Sequence, residues 1–400
     1  MRVVIIGAGV AGCVMARRLS LLDGVEVVCL ERVTRDDHSE AGTGLNVGPN
    51  AVKALTALDP ELAEAVTQAS FTWTNWRISL TDGTVLFDLP LAEVAEGPGW
   101  RIRWSELYRV LREAAGSRVS YGCEVTAFGR DATDPRQTSV AWTQDGKEFL
   151  LDGIDLLIAG DGRYSRVRRT ISGDVLVRQT GVAISRVLVP DTSNGLIDDY
   201  EQWFNGPNRL LSFRVPPGHI YIACAFPIPP EADIPPELKT PEALRTAYTP
   251  PSGIPSAQAQ WMIDTVCANV ADTHWARMQE HDALYRAADC NVLYLGDAAH
   301  GMVPTLGQGA TQAIEDAANA AALITQRYND GERDVACWLR EFEALRGDRM
   351  RFVMELSLAA TDTMLGGADP VRGTQHKTEA PFREKLSRLY RDIGPLLDGK

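Results

Sequence analysis

The chain has 400 residues, 45% of them hydrophobic and 23% charged, with a formal net charge of −13. That size and apolar content suit a globular protein of two domains or one large elaborated one. The acidic balance argues against a nucleic-acid surface, which needs a concentrated basic face, but not against a basic pocket for a small anion.

The seven cysteines include no C-x-x-C pair, and the six histidines show no metal-site spacing. These features predict a reduced compartment, no disulfide framework and no metal. No segment carries the ~20 continuous apolar residues of a membrane span. The apolar N-terminus is broken by glycines and followed by Arg17-Arg18, the wrong charge order for a secretion signal, so a cytoplasmic protein is expected.

Val3–Ile6 is a short β-branched run, as a buried parallel strand should be. Gly7-Ala8-Gly9-Val10-Ala11-Gly12 follows, then a helical pattern through Val14, Met15, Leu19 and Leu22. A second strand, Val25–Leu30, ends at Glu31 with Arg32 beside it. Strand, glycine turn, helix, strand and acid match a dinucleotide fingerprint: the glycines make a tight turn, a diphosphate sits at the helix N-terminus, and the acid takes a ribose hydroxyl. This pattern alone does not choose FAD over NAD.

Further along, Ile154–Ala159 is another apolar strand, ending in Gly160-Asp161-Gly162 and an arginine-rich stretch from Arg163 to Arg169. Residues 171–284 alternate and are proline-rich, as a sheet region should be. Ala183–Val189 alternates around Arg186, and Leu210–Val215 and Ile220–Phe226 flank Pro216-Pro217-Gly218-His219 as a hairpin. A third apolar strand, Val292–Leu295, runs into Gly296-Asp297, then Pro304, Gly307-Gln308-Gly309 and a strong helix former beginning at Ala310. Pro304 fixes that loop, the glycines permit close approach, and the helix N-terminus suits an anionic ring.

These three motifs, in this order, resemble the para-hydroxybenzoate hydroxylase family of single-component flavoprotein monooxygenases. Gly7–Gly12 is similar to the family's ADP loop, GDGRYSRVR to its Asp-Gly motif, and GDAAHGMVPTLGQG to its Gly-Asp motif. The resemblance implies an α/β fold: a Rossmann-like FAD-binding domain (1–70, 100–170, 285–345), a β-sheet substrate domain (71–99, 171–284) and a C-terminal helical segment (346–400). It also implies that Asp297 holds the ribityl chain of FAD and that Gly307–Gly309 faces the flavin's pyrimidine edge. Gly44 and Leu45 fall in a flavin-side loop. One position departs from the family: Trp104 stands where an arginine is usual, and its neighbour Arg103 is then the cation available to FAD.

The same resemblance implies that NADH or NADPH reduces FAD without a second nucleotide fold. O2 then adds as a flavin C4a-hydroperoxide that delivers one oxygen atom to an electron-rich ring. Arg186, Arg209 and Tyr221 resemble the substrate residues of the family's 2-methyl-3-hydroxypyridine-5-carboxylate oxygenase, with Trp73 near a further aromatic of that pocket and Pro304 at its edge. The resemblance gives Arg209 and Tyr221 catalytic roles. A hydroxypyridine carboxylate is the expected substrate class, with or without ring opening, and a salicylate- or hydroxybenzoate-type acid is the alternative. Whether Arg209 and Tyr221 share a face depends on hairpin register, because a one-residue slip reverses it.

Trp73 and Trp76 resemble a flavin halogenase's tryptophan pair, but their spacing is three and the following proline is missing. A non-catalytic FAD-binding protein would fit the same cofactor motifs. His300 belongs to the Gly-Asp motif and is expected to orient its loop, and Thr305 stands where some relatives have a histidine base. The tail from Met350 is expected to be helical, either solvated, covering the site or meeting a second copy in a homo-oligomer.

Overall fold

The structure, a computed structural model, describes residues 1–400 except 36, 38–42, 132, 135 and 396–400. The chain opens with β1 (Arg2–Ile6), α1 (Val10–Leu19) and β2 (Glu26–Leu30). β1 pairs in parallel with β2 from Arg2↔Glu26 to Ile6↔Leu30. The turn into α1 is tight: φ at Gly7 is +96°, and a Cβ on Gly12 would lie 2.0 Å from the Gly7 carbonyl oxygen.

Next come β3 (Gly44–Val47), α2 (Pro49–Leu58), α3 (Pro60–Gln68) and β4 (Phe71–Trp73). Pro49 and Pro60 each open a helix, where a missing N–H costs nothing. The hairpin β5 (Asn75–Leu80)–β6 (Val85–Pro90), then β7 (Gly99–Arg103) and α4 (Trp104–Ala115), follow. Strands β8 (Val119–Ser120), β9 (Glu124–Arg130), β10 (Thr138–Gln144), β11 (Lys147–Ile154) and β12 (Leu156–Ala159) lead to α5 (Arg166–Ser172). The long β13 (Val177–Pro190) opens the run β14 (Tyr200–Asn205), β15 (Asn208–Val215) and β16 (His219–Pro227). Helices α6 (Pro241–Tyr248) and α7 (Ala257–Ala268) precede β17 (His274–His281) and β18 (Val292–Tyr294). The chain ends in α8 (Gln308–Asn329), α9 (Val335–Ala359), α10 (Pro370–Thr378) and α11 (Ala380–Arg391).

Among the described residues, the strands form four sheets. The sheet β18-β12-β1-β2-β8 is parallel, and its strands β1, β12 and β18 end at the three glycine motifs. A seven-stranded sheet, β17-β13-β16-β15-β14-β5-β6, stands beside it, and a small sheet, β3-β7-β4, joins the two regions. The fold is thus α/β, a Rossmann-like domain with a second sheet and C-terminal helices.

The division expected at 345/346 falls inside α9, which runs unbroken from Val335 to Ala359 and carries Gly347 in its interior. Phe342, Arg346, Arg349, Met350 and Val353 form one buried stripe across that point, so tertiary packing overrides the glycine. The tail is not a solvated helix. Leu386, Leu389 and Tyr390 of α11 are buried, and Tyr390 meets Trp73 edge-on at 6.1 Å. Among the described residues, no helix is long and apolar enough to cross a membrane.

Candidate active site

A cavity of about 300 Å³ runs from the N-terminus of α1 to the face of the seven-stranded sheet. At its first end, Gly9, Val10 and Ala11 present the opening turn of α1. No side chain caps that turn and no acid lies in it, so its amides and dipole are free for an anion. Gly7 and Gly12 lie behind the turn and give it its shape. Glu31 accepts a hydrogen bond from the Ala8 amide at 2.6 Å and from Val33 at 3.1 Å. Arg32 is exposed beside it.

Gly160, Gly162 and Arg163 continue the wall. Asp161 accepts from the Arg166 and Val167 amides with Oδ2, which caps α5, while its buried Oδ1 has no partner among the described residues. Burial raises its carboxyl above the usual range against those hydrogen bonds. Arg163 donates to the Met302 carbonyl at 3.0 Å and stands 4.0 Å from Asp297, which ties the Asp-Gly loop to the Gly-Asp loop.

At the far end, Gly296 and Asp297 leave β18, and Pro304 opens a short 3-10 turn ending at Gly307. Gly307 is left-handed (φ +65°), and a Cβ there would lie 2.8 Å from the Asn46 carbonyl oxygen. It begins α8, again with no capping side chain and no acid in the first turn. Gly309 and Ala310 line the cavity across from Gly44, Leu45 and Asn46. Two uncapped helix N-termini, an unpartnered Asp161 oxygen and glycine-lined close approaches fit FAD, a long ligand with a diphosphate, a polyol and an anion-forming ring.

The floor of the cavity is the seven-stranded sheet. Phe213 pairs with Tyr221, Leu211 with Ala223 and Arg209 with Ala225 across β15–β16. On the other side of β16, Leu188 pairs with Tyr221, Arg186 with Ala223 and Ile184 with Ala225. This register puts Arg186, Arg209 and Tyr221 on one face. Tyr200, Phe213 and Tyr221 form a run of rings with centroids 5.9 and 5.0 Å apart. A Cβ on Gly44 would lie 2.6 Å from the Tyr221 Cβ, so only glycine lets the flavin-side loop close on that ring.

Arg209 is 4% exposed, and neither its side chain nor that of Arg186 makes an ion pair or hydrogen bond with any described residue. Burial lowers the Arg209 guanidinium below its ordinary value, while Tyr200 and Tyr221 nearby oppose the drop. Burial pushes the Tyr221 hydroxyl up to about 12, with Arg186 and Arg209 pulling it down. Two uncompensated cations over an aromatic floor form a receptor for a planar anion.

Behind α8 lies a buried charge network facing away from the cavity. Arg346 reaches Asp316 at 2.9 Å, Glu315 at 3.0 Å and Gln312 at 2.7 Å. Arg349 reaches Glu315 at 2.9 Å and the Leu389 carbonyl at 2.7 Å. His300 meets Asp316 at 2.5 Å, and Tyr285 donates to the same carboxylate at 3.0 Å. Burial alone would raise Asp316, but His300 and Arg346 outweigh it and hold the carboxyl below its usual range. His300 therefore anchors the Gly-Asp loop from behind and is not directed at the cavity.

Three expected site residues lie elsewhere. Trp73 is buried behind Tyr200 (centroids 5.6 Å apart) and donates to the Asn75 carbonyl, so it braces a cavity residue and does not stack on a ligand. The Gln308 side chain turns into the buried network, accepting from Asn50 and Gln312, and only its backbone faces the loop. Arg103 lies opposite Gly44 at the end of β7, near His219, while Trp104 and Tyr108 line the cavity. Tyr200, Phe213 and Tyr108 are cavity residues that carried no motif; only the three-dimensional pairing of strands and helices finds them.

The family model described as FAD binding domain matches residues 1–337. The chain belongs to this FAD-binding family, and it is a flavin-dependent oxidoreductase. Its relatives include 2-heptyl-3-hydroxy-4(1H)-quinolone synthase of Pseudomonas aeruginosa, 27% identical over 330 residues, covering 79% of each chain. The 6-hydroxynicotinate 3-monooxygenase of Pseudomonas fluorescens is 26% identical over 370 residues, 89% of this chain and 90% of that one. Among solved structures, Klebsiella pneumoniae HpxO complexed with FAD and uric acid shares the fold, with a TM-score of 0.80 and 23% identity, covering 99% of this chain and 98% of that one.

Proposed function

We propose that the protein uses NADH or NADPH and O2 to place one oxygen atom on a hydroxylated aromatic acid, with a hydroxypyridine carboxylate as its substrate class. The observation that carries this reading is the pair Arg186 and Arg209, unpaired cations on one face of the sheet beside Tyr221. The relative named for 6-hydroxynicotinate supports the pyridine class.

FAD, held along the α1 turn, the Asp161 and Asp297 loops and the start of α8, supplies the activation of oxygen. The chain's own residues do the rest. Arg209 and Arg186 bind the carboxylate and the ionised ring oxygen, each through a planar fork. The rings of Tyr200, Phe213 and Tyr221, with Leu211 and Ile184, bury the ring and exclude water. Tyr221, with its hydroxyl pushed up to about 12, keeps its proton at neutral pH and donates a hydrogen bond; it does not act as a base.

The test is product mass under ¹⁸O₂ with NADH or NADPH and either 5-hydroxynicotinate or salicylate. Label in a pyridine or ring-opened product is expected. Label only in catechol replaces the pyridine class with the salicylate class. Loss of NAD(P)H with no labelled product from either acid overturns the reading.

A further inference from the structure

One wall of the cavity is the face of α4 that begins at Trp104, the residue that stands where an arginine is usual. Trp104, Tyr108 and Arg112 recur every four residues and so share one face of α4. The adjoining stripe, Leu107, Val110 and Leu111, is buried in the core. Trp104 and Tyr108 are only half-buried, and they line the cavity beside Gly9, Val10 and Ala11. Their ring centroids are 5.0 Å apart at an interplanar angle of 36°. The Arg112 guanidinium lies over the Tyr108 ring, 4.9 Å from its centroid. Beyond the ring, Arg112 Nε donates to the Ala8 carbonyl at 3.2 Å, and Nη2 is 3.8 Å from Glu31.

The Ala8 residue at the centre of the glycine turn is thus held at both ends. Glu31 takes its N–H and Arg112 its C=O. Burial raises the Tyr108 hydroxyl well above its ordinary value, with Arg112 opposing the rise and Asp297 and Glu31 adding to it. Arg109, also on α4, is turned outward onto Glu106 and Glu113. The helix therefore offers the cavity flat apolar surface and no side-chain cation. An aromatic pair left half-open toward a cavity is surface awaiting an occupant.

We infer that the Trp104–Tyr108–Arg112 face of α4 clamps the adenine-dinucleotide arm of FAD. The two rings contact the cofactor, and Arg112 is a positioning residue that acts through Tyr108 and Ala8. The diphosphate charge is met on the other side, by the open turn of α1 and by Arg163. The clamp concerns only the cofactor, so its test does not depend on the substrate reading.

The experiment measures flavin release from diluted full-length holoprotein by fluorescence, and riboflavin affinity by competition. Riboflavin has no dinucleotide arm. Tyr108→Leu and Trp104→Leu are each expected to weaken FAD about tenfold, with riboflavin affinity unchanged. Tyr108→Phe keeps the ring and is expected to restore FAD affinity. Arg112→Gln is expected to weaken FAD several-fold and to spare riboflavin. FAD affinity that stays at the wild-type value in both leucine variants, or an equal loss for FAD and riboflavin, would overturn the clamp.

Discussion

Arg186 and Arg209 flank the same strand two positions apart in register: Arg186 lies opposite Ala223 of β16 and Arg209 opposite Ala225. The residues between them are small, so both guanidinium groups look over one patch of floor. A buried cation without a partner is a cost to the folded state that a bound anion removes. That tension between stability and binding shapes the first expectation.

Arg209→Met is expected to raise the thermal midpoint of the ligand-free protein by a few degrees, since it replaces an uncompensated buried charge with packing. The same change is expected to weaken binding of an aromatic acid about 30- to 100-fold. Arg186→Met, at a more open position, should weaken binding less and leave the midpoint near wild type. Thermal melts and ligand titrations of the two variants check both halves.

Tyr221 sets an expectation for pH. Burial raises its folded-state value to about 12, above the 10.0 of an unperturbed tyrosine. The folded state holds the proton longer, so this group's contribution is fully present below pH 10 and is lost as pH rises from 10 through 12. The loss amounts to ~3 kcal/mol. Tyr221→Phe should flatten that part of an alkaline stability curve. Since wild-type Tyr221 stays protonated at working pH, the substitution should lower kcat about tenfold or more and add no new limb to the rate profile below pH 10.

Gly12→Ala tests the cofactor turn. The added Cβ would meet the Gly7 carbonyl oxygen at 2.0 Å, and both partners are backbone. The turn must open, and with it the end of α1 that lines the cavity. The variant is expected to purify folded by circular dichroism but without yellow flavin. Full flavin occupancy would contradict the placement of FAD at this turn.

The network behind α8 is a matter of stability. Arg346→Met takes one of two counter-charges from Glu315 and from Asp316, both 0% exposed, and leaves only Arg349 on the first and His300 on the second. Breaking a buried pair from one side is expected to cost about 3–5 kcal/mol in urea unfolding. Arg351→Met, which removes an exposed pair with Asp348, should change stability by less than about 0.5 kcal/mol.

The sequence exposed those parts of the molecule that chain-local constraints determine. Gly7–Gly12, Asp161, Asp297 and Gly307–Gly309 stand out because a tight turn or a close approach demands a glycine within a few residues of a strand end. The shared face of Arg186, Arg209 and Tyr221 did not, because register is set by pairing across strands. Trp73 and Tyr200 show the same limit: both are aromatic at strand ends, and only packing decides that Tyr200 meets the cavity while Trp73 supports it. The Arg346 and Arg349 pairs join residues some thirty positions from their acids, and no local pattern marks them.

The most direct test of the account compares an acid with its neutral twin. FAD-loaded protein is titrated with 6-hydroxynicotinate and with its carboxamide, following the flavin difference spectrum, in wild type and in Arg209→Gln. The account expects the acid to bind about 30-fold or more tightly than the amide in wild type, and that preference to collapse in the variant. Equal binding of acid and amide by the wild-type protein would contradict it.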